Sequence, residues 1–235
     1  MCWDCRTTSR YRSIARGILR AVYQLAGVNA ASLVELREKA KSIPLRIYDT
    51  QAPFYTRTCS YPIPDLLLKC GFDVQTSLYK PGQHWGKRLN ANITNQNLEA
   101  LTFPESSFDI VITSDVMEHV RLDYKAHREI RRVLRNGGIY LFTVPHFRDR
   151  PITLKRVIVN DPSDPTKDEF PVEKQYHADG NSADGRALVY REYGTDLDGM
   201  LAEMGFTVDY CSQDLPEMGI MDTELFFCQA VHPTR

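Results

Sequence analysis

Two short apolar runs separated by an amphipathic helical pattern constrain the fold of this chain more than any other feature. The first run, Ile110-Val111-Ile112, ends in Thr113-Ser114-Asp115, which is typical of a strand buried on both faces. Five apolar residues then recur on one helical face: Leu122, Ala126, Ile130, Val133 and Leu134. Asn136-Gly137-Gly138 is predicted to end this helix as a left-handed cap, before a second apolar strand at 139–144. Strand, helix and strand together predict a right-handed crossover between parallel neighbours.

The rest of the chain past residue 44 alternates between strand and helix patterns in the same way. Strands are predicted at 45–49, 72–79, 88–94, 206–210 and 225–231, and helices at 62–70 and 195–204. Such alternation predicts an α/β fold whose mostly parallel sheet is covered on both faces. A polar stretch from 147 to about 186 interrupts it, and long insertions of this kind commonly serve as lids or binding loops.

The first 43 residues form a predicted N-terminal helical segment. Apolar residues recur there at helical spacing, and Gly27 follows them where a helix would be capped: Ile14, Ile18, Leu19, Val22 and Leu25. Several arginines and no acidic residue occupy 6–34, a composition that also superficially fits an organelle transit peptide. Cys2 and Cys5 form a CxxC pair, but no second ligand pair lies at a suitable distance, so no metal site is predicted.

Composition excludes several classes of protein. With 235 residues, 43% hydrophobic, 25% charged and a formal charge of −1, the chain matches a globular protein and no strongly basic nucleic-acid binder. Apolar runs long enough to cross a membrane are missing, and six dispersed cysteines do not form a disulfide framework. We therefore expect a cytoplasmic protein with no nucleic-acid or membrane partner, as a monomer or homodimer.

Two blocks of sequence resemble a known family. Residues 97–120, NLEALTFPESSFDIVITSDVMEHV, and 129–138, EIRRVLRNGG, are similar to the central region of class I S-adenosylmethionine (SAM) dependent methyltransferases. The resemblance implies a Rossmann-like doubly wound sheet with an antiparallel last strand, and SAM as the cofactor. It divides the chain into a segment or lid at 1–43 and a SAM-binding domain at 44–235 with an insertion at 147–194.

A weaker resemblance joins the chain to a bacterial subgroup of these enzymes. It is carried by Tyr176-His177, by the 187–206 region, and by Cys2, Cys5, Arg10 and Arg12 near the start.

The chain departs from the family pattern where the cofactor is usually held. Asp49-Thr50-Gln51-Ala52 follows the first strand without a glycine, although close approach of backbone to a cofactor usually requires one. No acidic residue ends the second strand, where Tyr79 stands, and Asn97 replaces the usual aspartate that faces the adenine amine. An amide oxygen can accept the same hydrogen bond without a charge.

Candidate site residues follow from the resemblance and from predicted strand ends. The cofactor side comprises Asp49, Thr50, Gln51, Tyr55, Tyr79, Asn97, Leu98, Ser114 and Asp115. The catalytic or acceptor side comprises Asp115, His119, His146, Tyr176 and His177. Each has a structural alternative: Asp115 as a helix cap, His119 as a packed residue, His146 as a loop anchor, and the 176–177 pair as a cover for a core edge. The basic cluster Arg148, Arg150, Lys155 and Arg156 is interpreted as solvated surface, with a phosphate or nucleic-acid site as the alternative.

The leading interpretation is a SAM-dependent methyltransferase acting on a small natural-product or sugar-like acceptor. Because SAM carries its own activation, such an enzyme must align the acceptor, exclude water and sometimes remove a proton. Two alternatives stay open: a SAM-using enzyme that attacks another carbon and releases methylthioadenosine, and a binding or scaffold protein that keeps the fold without catalysis.

Overall fold

The computed structural model describes residues 7–52, 62–179, 182, 184–211 and 214–231. Its α-helices are α1 Ser9–Ala26, α2 Leu33–Lys39, α3 Ile63–Lys69, α4 Asp123–Val133 and α5 Asp196–Glu203. Its first six strands are β1 Arg46–Asp49, β2 Asp73–Leu78, β3 Arg88–Asn90, β4 Ile93–Asn95, β5 Phe108–Ser114 and β6 Leu134–Thr143. The others are β7 Leu154–Lys155, β8 Tyr176–Ala178, β9 Arg186–Leu188, β10 Arg191–Glu192, β11 Phe206–Cys211 and β12 Leu225–Ala230.

Among the described residues, eight strands form one sheet in the order β11-β12-β6-β5-β1-β2-β4-β3. The inner pairs β4-β2, β2-β1, β1-β5 and β5-β6 are parallel, whereas β12 is antiparallel to both β6 and β11. The predicted α/β class, the mostly parallel Rossmann-like sheet and the antiparallel final strands are confirmed. Because the carboxyl ends of β1, β2 and β5 lie side by side, the segments that leave them share one edge of the sheet.

Alternation along each strand divides the core into two layers. In β5, Val111 packs with α4 and α5 on one face, while Ile110 and Ile112 pack with α1, α2 and α3 on the other. The same alternation in β6 sends Tyr140 and Phe142 to the first layer, and Ile139 and Leu141 to the second. Both faces of these central strands are therefore covered by apolar side chains, which explains why the strands are continuous apolar runs.

Helix α1 is the N-terminal helix that the apolar spacing predicts, and it is part of the second core layer. It is capped at its start by the Thr8 side chain and at its end by Gly27 in the left-handed conformation, with φ 71°. Gly17 lets the helix lie close to the sheet, since a Cβ there would come within 2.5 Å of Leu225 Cδ2. The division of the chain at residue 44 stays a prediction.

Two local predictions are wrong. The single strand at 88–94 is a β3-β4 hairpin, because the Ala91-Asn92 turn reverses the chain. Helix α4 ends at Val133 and β6 begins at Leu134, so Asn136-Gly137-Gly138 is not the helix cap. Instead, the pairing of β6 with β5 shifts register there, with Gly137 at φ 78° and Gly138 close to the carbonyl oxygens of Asp109 and Arg135. A glycine-containing irregularity in a strand and a helix cap use the same residues, which is why the sequence did not separate them.

The insertion at 147–194 contains the short pairs β7-β10 and β8-β9 outside the main sheet. Its end returns along the segment that follows β5, where Tyr190 N–H donates to Glu118 O. Within the described ranges, none of the helices has the length and apolar character that a membrane crossing requires.

Candidate active site

The turn that follows β1 is closed by its own backbone donors. Thr50 N–H donates to Ile112 O at 3.0 Å, and Ala52 N–H donates to Ser77 O at 3.1 Å. Between them, Gln51 N–H donates to Asp49 Oδ1 at 3.0 Å. A glycine-rich turn would present such N–H groups to a ligand. Here two of these donors are engaged with the neighbouring strands and the third with the Asp49 carboxyl, so any ligand at this turn must be recognised by side chains.

Two polar side chains of this turn are buried without enough hydrogen bonds to offset their loss of contact with water. Burial raises the pKa of the Asp49 carboxyl to about 7, and the single bond from Gln51 N–H opposes that rise only in part. Thr50 Oγ1 is also buried, with no hydrogen-bond partner among the described residues. Buried polar groups normally have partners, so this pair is suited to a polar ligand.

A cavity of about 190 Å³ lies against this turn, between the ends of β1 and β5 and the starts of α1 and α3. Its walls include Asp49, Gln51, Ser114, Tyr11 and Ile14. Gln51 Nε2 donates to Ser114 O at 2.7 Å and so ties the two strand ends together. The volume is below the roughly 300 Å³ at which whole-ligand pockets begin, so it accommodates one arm of a larger molecule.

The turn after β5 begins with Asp115, whose φ of 49° lies in the left-handed region that few non-glycine residues adopt. Its N–H donates to Thr143 O at 2.9 Å, and its Oδ1 accepts from Thr143 Oγ1 at 2.7 Å. The other carboxylate oxygen forms an ion pair with Arg10 of α1. Neither the 3₁₀ turn at 117–119 nor α4 has a side-chain cap, so Asp115 does not act as a helix cap.

Glu118, His119 and His177 converge beside this turn. His177 Nδ1 lies 3.2 Å from His119 Nε2, and Glu118 Oε1 lies 3.6 Å from His119 Nε2 and 3.8 Å from His177 Nδ1. Glu118 is fully buried, and burial raises its pKa to about 7. Burial also lowers the pKa of His119, which favours its neutral form. We call these three residues the Glu-His-His cluster.

Residues 188–191 hold the Glu-His-His cluster in place. His119 Nδ1 lies 2.8 Å from Leu188 O, and because a carbonyl only accepts, Nδ1 carries the hydrogen and Nε2 presents its lone pair. The Arg191 guanidinium donates to three carbonyl oxygens of the same turn, those of Met117, Val120 and Arg121, at 2.6–2.9 Å. The turn is therefore fixed by a segment some 70 residues away in sequence.

The other predicted acceptor residues lie apart from this cluster. The His146 side chain is 2% exposed, with Nδ1 paired to Glu224 and Nε2 3.2 Å from Gly194 O, so both ring nitrogens are engaged. Tyr176 is half-exposed on β8, next to His177 in sequence, and its ring lies under the Arg186 guanidinium. Acceptor roles for both residues stay predictions.

On the nucleoside side, the predicted residues occupy three different environments. Tyr79 is 62% exposed and its ring stacks on Trp85 at 5.5 Å between centroids. Asn97 Oδ1 accepts from Glu99 N–H at 3.0 Å and retains a second lone pair, whereas Leu98 is buried in the core. Tyr55 lies outside the described residues.

The basic cluster in the insertion is largely neutralised. Arg148 pairs with Glu224, while Arg150 and Arg156 both pair with Glu192. These pairs give the arginines a structural role.

Sequence reasoning missed three residues that shape the site: Glu118, Arg10 and Arg191. A glutamate in a short helical turn is normally exposed, so nothing in the sequence signalled its burial. Arg10 and Arg191 reach their partners only through the tertiary fold. The Glu118-His119 pair within the family-like block was the one available signal.

Comparison with known proteins agrees with this architecture. The family model of the methyltransferase domain matches residues 69–142. A protein from Pyrococcus horikoshii OT3 has a similar structure, at 15% identity and a TM-score of 0.53, covering 97% of this chain and 93% of that one. The SAM-bound structure of an amino pentose methyltransferase from Micromonospora echinaspora gives 12% identity and a TM-score of 0.52, over 96% and 92%. No curated protein matches the sequence.

The structural likenesses establish the fold. Together with the family model, they confirm the resemblance to class I SAM-dependent methyltransferases, a family that takes SAM as its cofactor.

Proposed function

We propose that this chain binds SAM at the β1 and β5 ends and transfers its methyl group to a small-molecule acceptor. The observation that carries the proposal is the buried Asp49 carboxylate on the wall of the cavity, at the edge of the sheet where this fold binds its ligands. A buried carboxyl with one hydrogen bond is poorly compensated unless a cation joins it. The α-ammonium group of SAM would supply that cation.

The residues present fit the amino-acid arm of the cofactor. Asp49 would hold the ammonium group, and the unpartnered Thr50 Oγ1 would donate to the carboxylate. Side chains thus replace the backbone contacts that the glycine-free turn does not offer. When bound, the cofactor supplies a methyl group already activated by its sulfonium charge.

The nucleoside would extend from the cavity along the ends of β2 and β4. Tyr79 and Asn97 are the proposed contacts there, Asn97 through the lone pair that Glu99 N–H leaves unused, with Leu98 supporting the loop from the core. Tyr55 is proposed to add an aromatic contact near the sulfonium, because a ring face attracts such a cation.

The acceptor would bind on the opposite side of Ser114, next to Asp115 and the Glu-His-His cluster. Transfer to a hydroxyl or amine releases a proton, and a neutral imidazole next to the Glu118 carboxylate is suited to take it. Tyr176 and His146 are proposed to line the outer part of this side. Segments 1–43 and 147–194 would exclude water, since Arg10 and residues 188–191 already reach the turn after β5.

The acceptor class is a hydroxyl- or amine-bearing natural product or sugar. The fold is shared with an amino pentose methyltransferase, although that likeness does not identify the acceptor. The cavity wall also agrees with a small molecule, because no basic stripe for a polymer lies beside it among the lining residues.

The test is to incubate the protein with SAM alone, and then with SAM and a panel of sugar, phenol and amine acceptors, and to identify the nucleoside product by mass spectrometry. We expect S-adenosylhomocysteine to form only when an acceptor is present. Enzyme-dependent release of methylthioadenosine from SAM alone would show that the protein catalyses attack at another carbon of SAM, and it would rule out methyl transfer as the proposed reaction. Absence of any calorimetric binding of SAM and S-adenosylhomocysteine would leave only the scaffold interpretation.

A further inference from the structure

We infer that the Glu-His-His cluster is a binding site for a divalent transition-metal ion of the zinc type. Its three members supply two imidazole nitrogens and one carboxylate oxygen, the donor set of many catalytic zinc and iron sites. The sequence predicted no metal site, because His177 lies 58 positions from His119 and no ligand spacing connects them.

The distances among the three donor atoms match a single ion. The sides of the triangle are 3.2 Å between the two nitrogens, 3.6 Å from Oε1 to His119 Nε2 and 3.8 Å from Oε1 to His177 Nδ1. The point equidistant from all three atoms lies about 2.1 Å from each, which is the length of zinc–nitrogen and zinc–oxygen bonds.

An independent observation is the state of Glu118. Its side chain is completely buried, and neither carboxylate oxygen has a hydrogen-bond partner in the part of the chain that the structure describes. A buried carboxylate with no hydrogen-bond donor is rare, because no interaction offsets the free-energy cost of removing its charge from water. Oε1 lies within 4 Å of both histidines, so this unpartnered group is aimed into the cluster.

The orientation of His119 is also that of a metal ligand. Its Nδ1–H donates to Leu188 O, which leaves the Nε2 lone pair directed at the other two donors. Ligating histidines characteristically donate their second nitrogen to a carbonyl or carboxylate, which fixes the ring. His177 would carry its hydrogen on Nε2 when its Nδ1 binds the ion.

The positive charges of the nearby arginines are partly neutralised by carboxylates, so they repel a bound cation less. Arg10 is paired with Asp115, and Arg191 lies 3.3 Å from Asp123 Oδ2. One carboxylate and two neutral imidazoles would carry a net charge of −1 toward a dication. A site of three protein ligands keeps a further position open.

That open position suits a ligand oxygen or nitrogen on the side of His177, whose side chain is 36% exposed while Glu118 closes the other side. This part of the inference rests on the proposed function: the ligand would be the hydroxyl or amine of the acceptor, held next to Asp115. A metal ion in that place would orient the acceptor and lower the pKa of its hydroxyl. With the ion bound, His119 Nε2 has no lone pair left for a proton, so the ion would activate the acceptor in place of the imidazole base.

The test is a calorimetric titration of metal-stripped protein with Zn²⁺, without SAM or acceptor. Cys2 and Cys5 are themselves zinc-prone, so the protein should carry Cys2→Ser and Cys5→Ser. We expect one equivalent to bind with micromolar or tighter affinity. His177→Gln and Glu118→Gln should each weaken it by more than about 100-fold, beyond the loss typical of an outer-shell partner. His84→Gln, at an exposed histidine, should not change it.

Co²⁺ provides a readout that does not depend on heat. Its visible d–d absorption should appear at one equivalent, without thiolate charge-transfer bands. The absorption should disappear in His177→Gln. Because His177 is partly exposed, this substitution should leave the fold intact, which circular dichroism checks. Absence of stoichiometric binding, or binding equally strong in His177→Gln, would overturn the inference and leave a simple histidine pair. Because the titration contains no SAM, failure of zinc binding would not count against the proposed methyl transfer. Failure of methyl transfer would not count against the zinc site, only against the acceptor as its further ligand.

Discussion

The turns after β1 and β5 each contain a buried carboxyl group whose pKa is raised to about 7, yet they are held in different ways. Asp49 sits in a turn that the sheet itself closes, through backbone bonds to Ile112 and Ser77 on the neighbouring strands. Glu118 sits in a turn held by distant segments, with Arg191 and Leu188 bound to its backbone and to His119. The first turn is therefore held by the main sheet, and the second is held by the insertion at 147–194.

The difference separates two kinds of adaptability. A turn closed by adjacent parallel strands changes little when loops change, which suits a cofactor common to many enzymes. A turn held by an insertion can be reshaped with it, and loops are where specificity usually resides. Changes in 147–194 should therefore alter the acceptor side and leave the cofactor side intact.

The largest expected effect comes from removing the charge of Asp49. Its pKa rises on folding, so the folded state binds the proton more tightly, and stability is greatest below the unfolded pKa and declines as pH rises through about 7. Asp49→Asn should remove this contribution of about 4 kcal/mol between pH 4 and pH 8. Urea unfolding at several pH values measures it, with the exposed Asp73→Asn as control. An unchanged pH slope in Asp49→Asn would contradict the burial of this carboxyl.

Next in size is the effect of Arg191 on the second turn. Arg191→Lys should lower the free energy of unfolding by about 3 to 4 kcal/mol, because a single ammonium cannot reach the three carbonyl oxygens and Asp123 together. Denaturant unfolding measures the loss, with the exposed Arg37→Lys as a matched control. SAM affinity should stay within about twofold, because the hydrogen bonds that close the first turn do not involve Arg191. A parallel loss of SAM affinity would show that the two turns are coupled.

A smaller effect is expected on cofactor affinity at the first turn. Asp49→Asn should weaken SAM binding by about 2 to 3 kcal/mol at pH 7.5, because a charge-assisted hydrogen bond to the ammonium group is lost. Methylthioadenosine lacks the amino-acid arm, so its affinity should be equal in both proteins. Calorimetry with both ligands separates an arm contact from a general change in the pocket. Equal losses for the two ligands would argue against the proposed contact.

The smallest expected effect concerns Asn97. Asn97→Ala should weaken SAM by about 1 to 2 kcal/mol, since the adenine amine would lose its acceptor on burial. Asn97→Asp should preserve or strengthen binding, because a carboxylate accepts from both Glu99 N–H and the amine. The same titrations measure both variants. Unchanged affinity in Asn97→Ala would mean that the residue only shapes its own loop.

Much of the fold could be predicted because it depends on local patterns. The apolar run at 110–112 and the helical spacing of α1 are consequences of burial on fixed faces, and both appear in the structure as expected. The end of α4 was predicted wrongly because Gly137 suits a helix cap and a strand irregularity equally. Local sequence contains no information that separates the two.

The site was less accessible to sequence reasoning. His119 and His177 were both candidates, but their contact depends on how the insertion folds back over the sheet. Glu118 was not a predicted site residue, because a carboxylate in a polar turn is ordinarily exposed. Its burial follows from the packing of residues 188–191 over the turn.

The sequence by itself determined the alternation of strands and helices in the core of the main sheet, the double burial of the central strands and the lack of a glycine turn after β1. These are properties of a few consecutive residues, set by side-chain hydrophobicity and backbone conformation. Only the tertiary structure decided that Arg10 reaches Asp115, that Arg191 clamps the turn after β5, and that Glu118 meets two histidines. Such contacts join residues tens of positions apart, and their geometry is set by the packing of the whole sheet with its insertion.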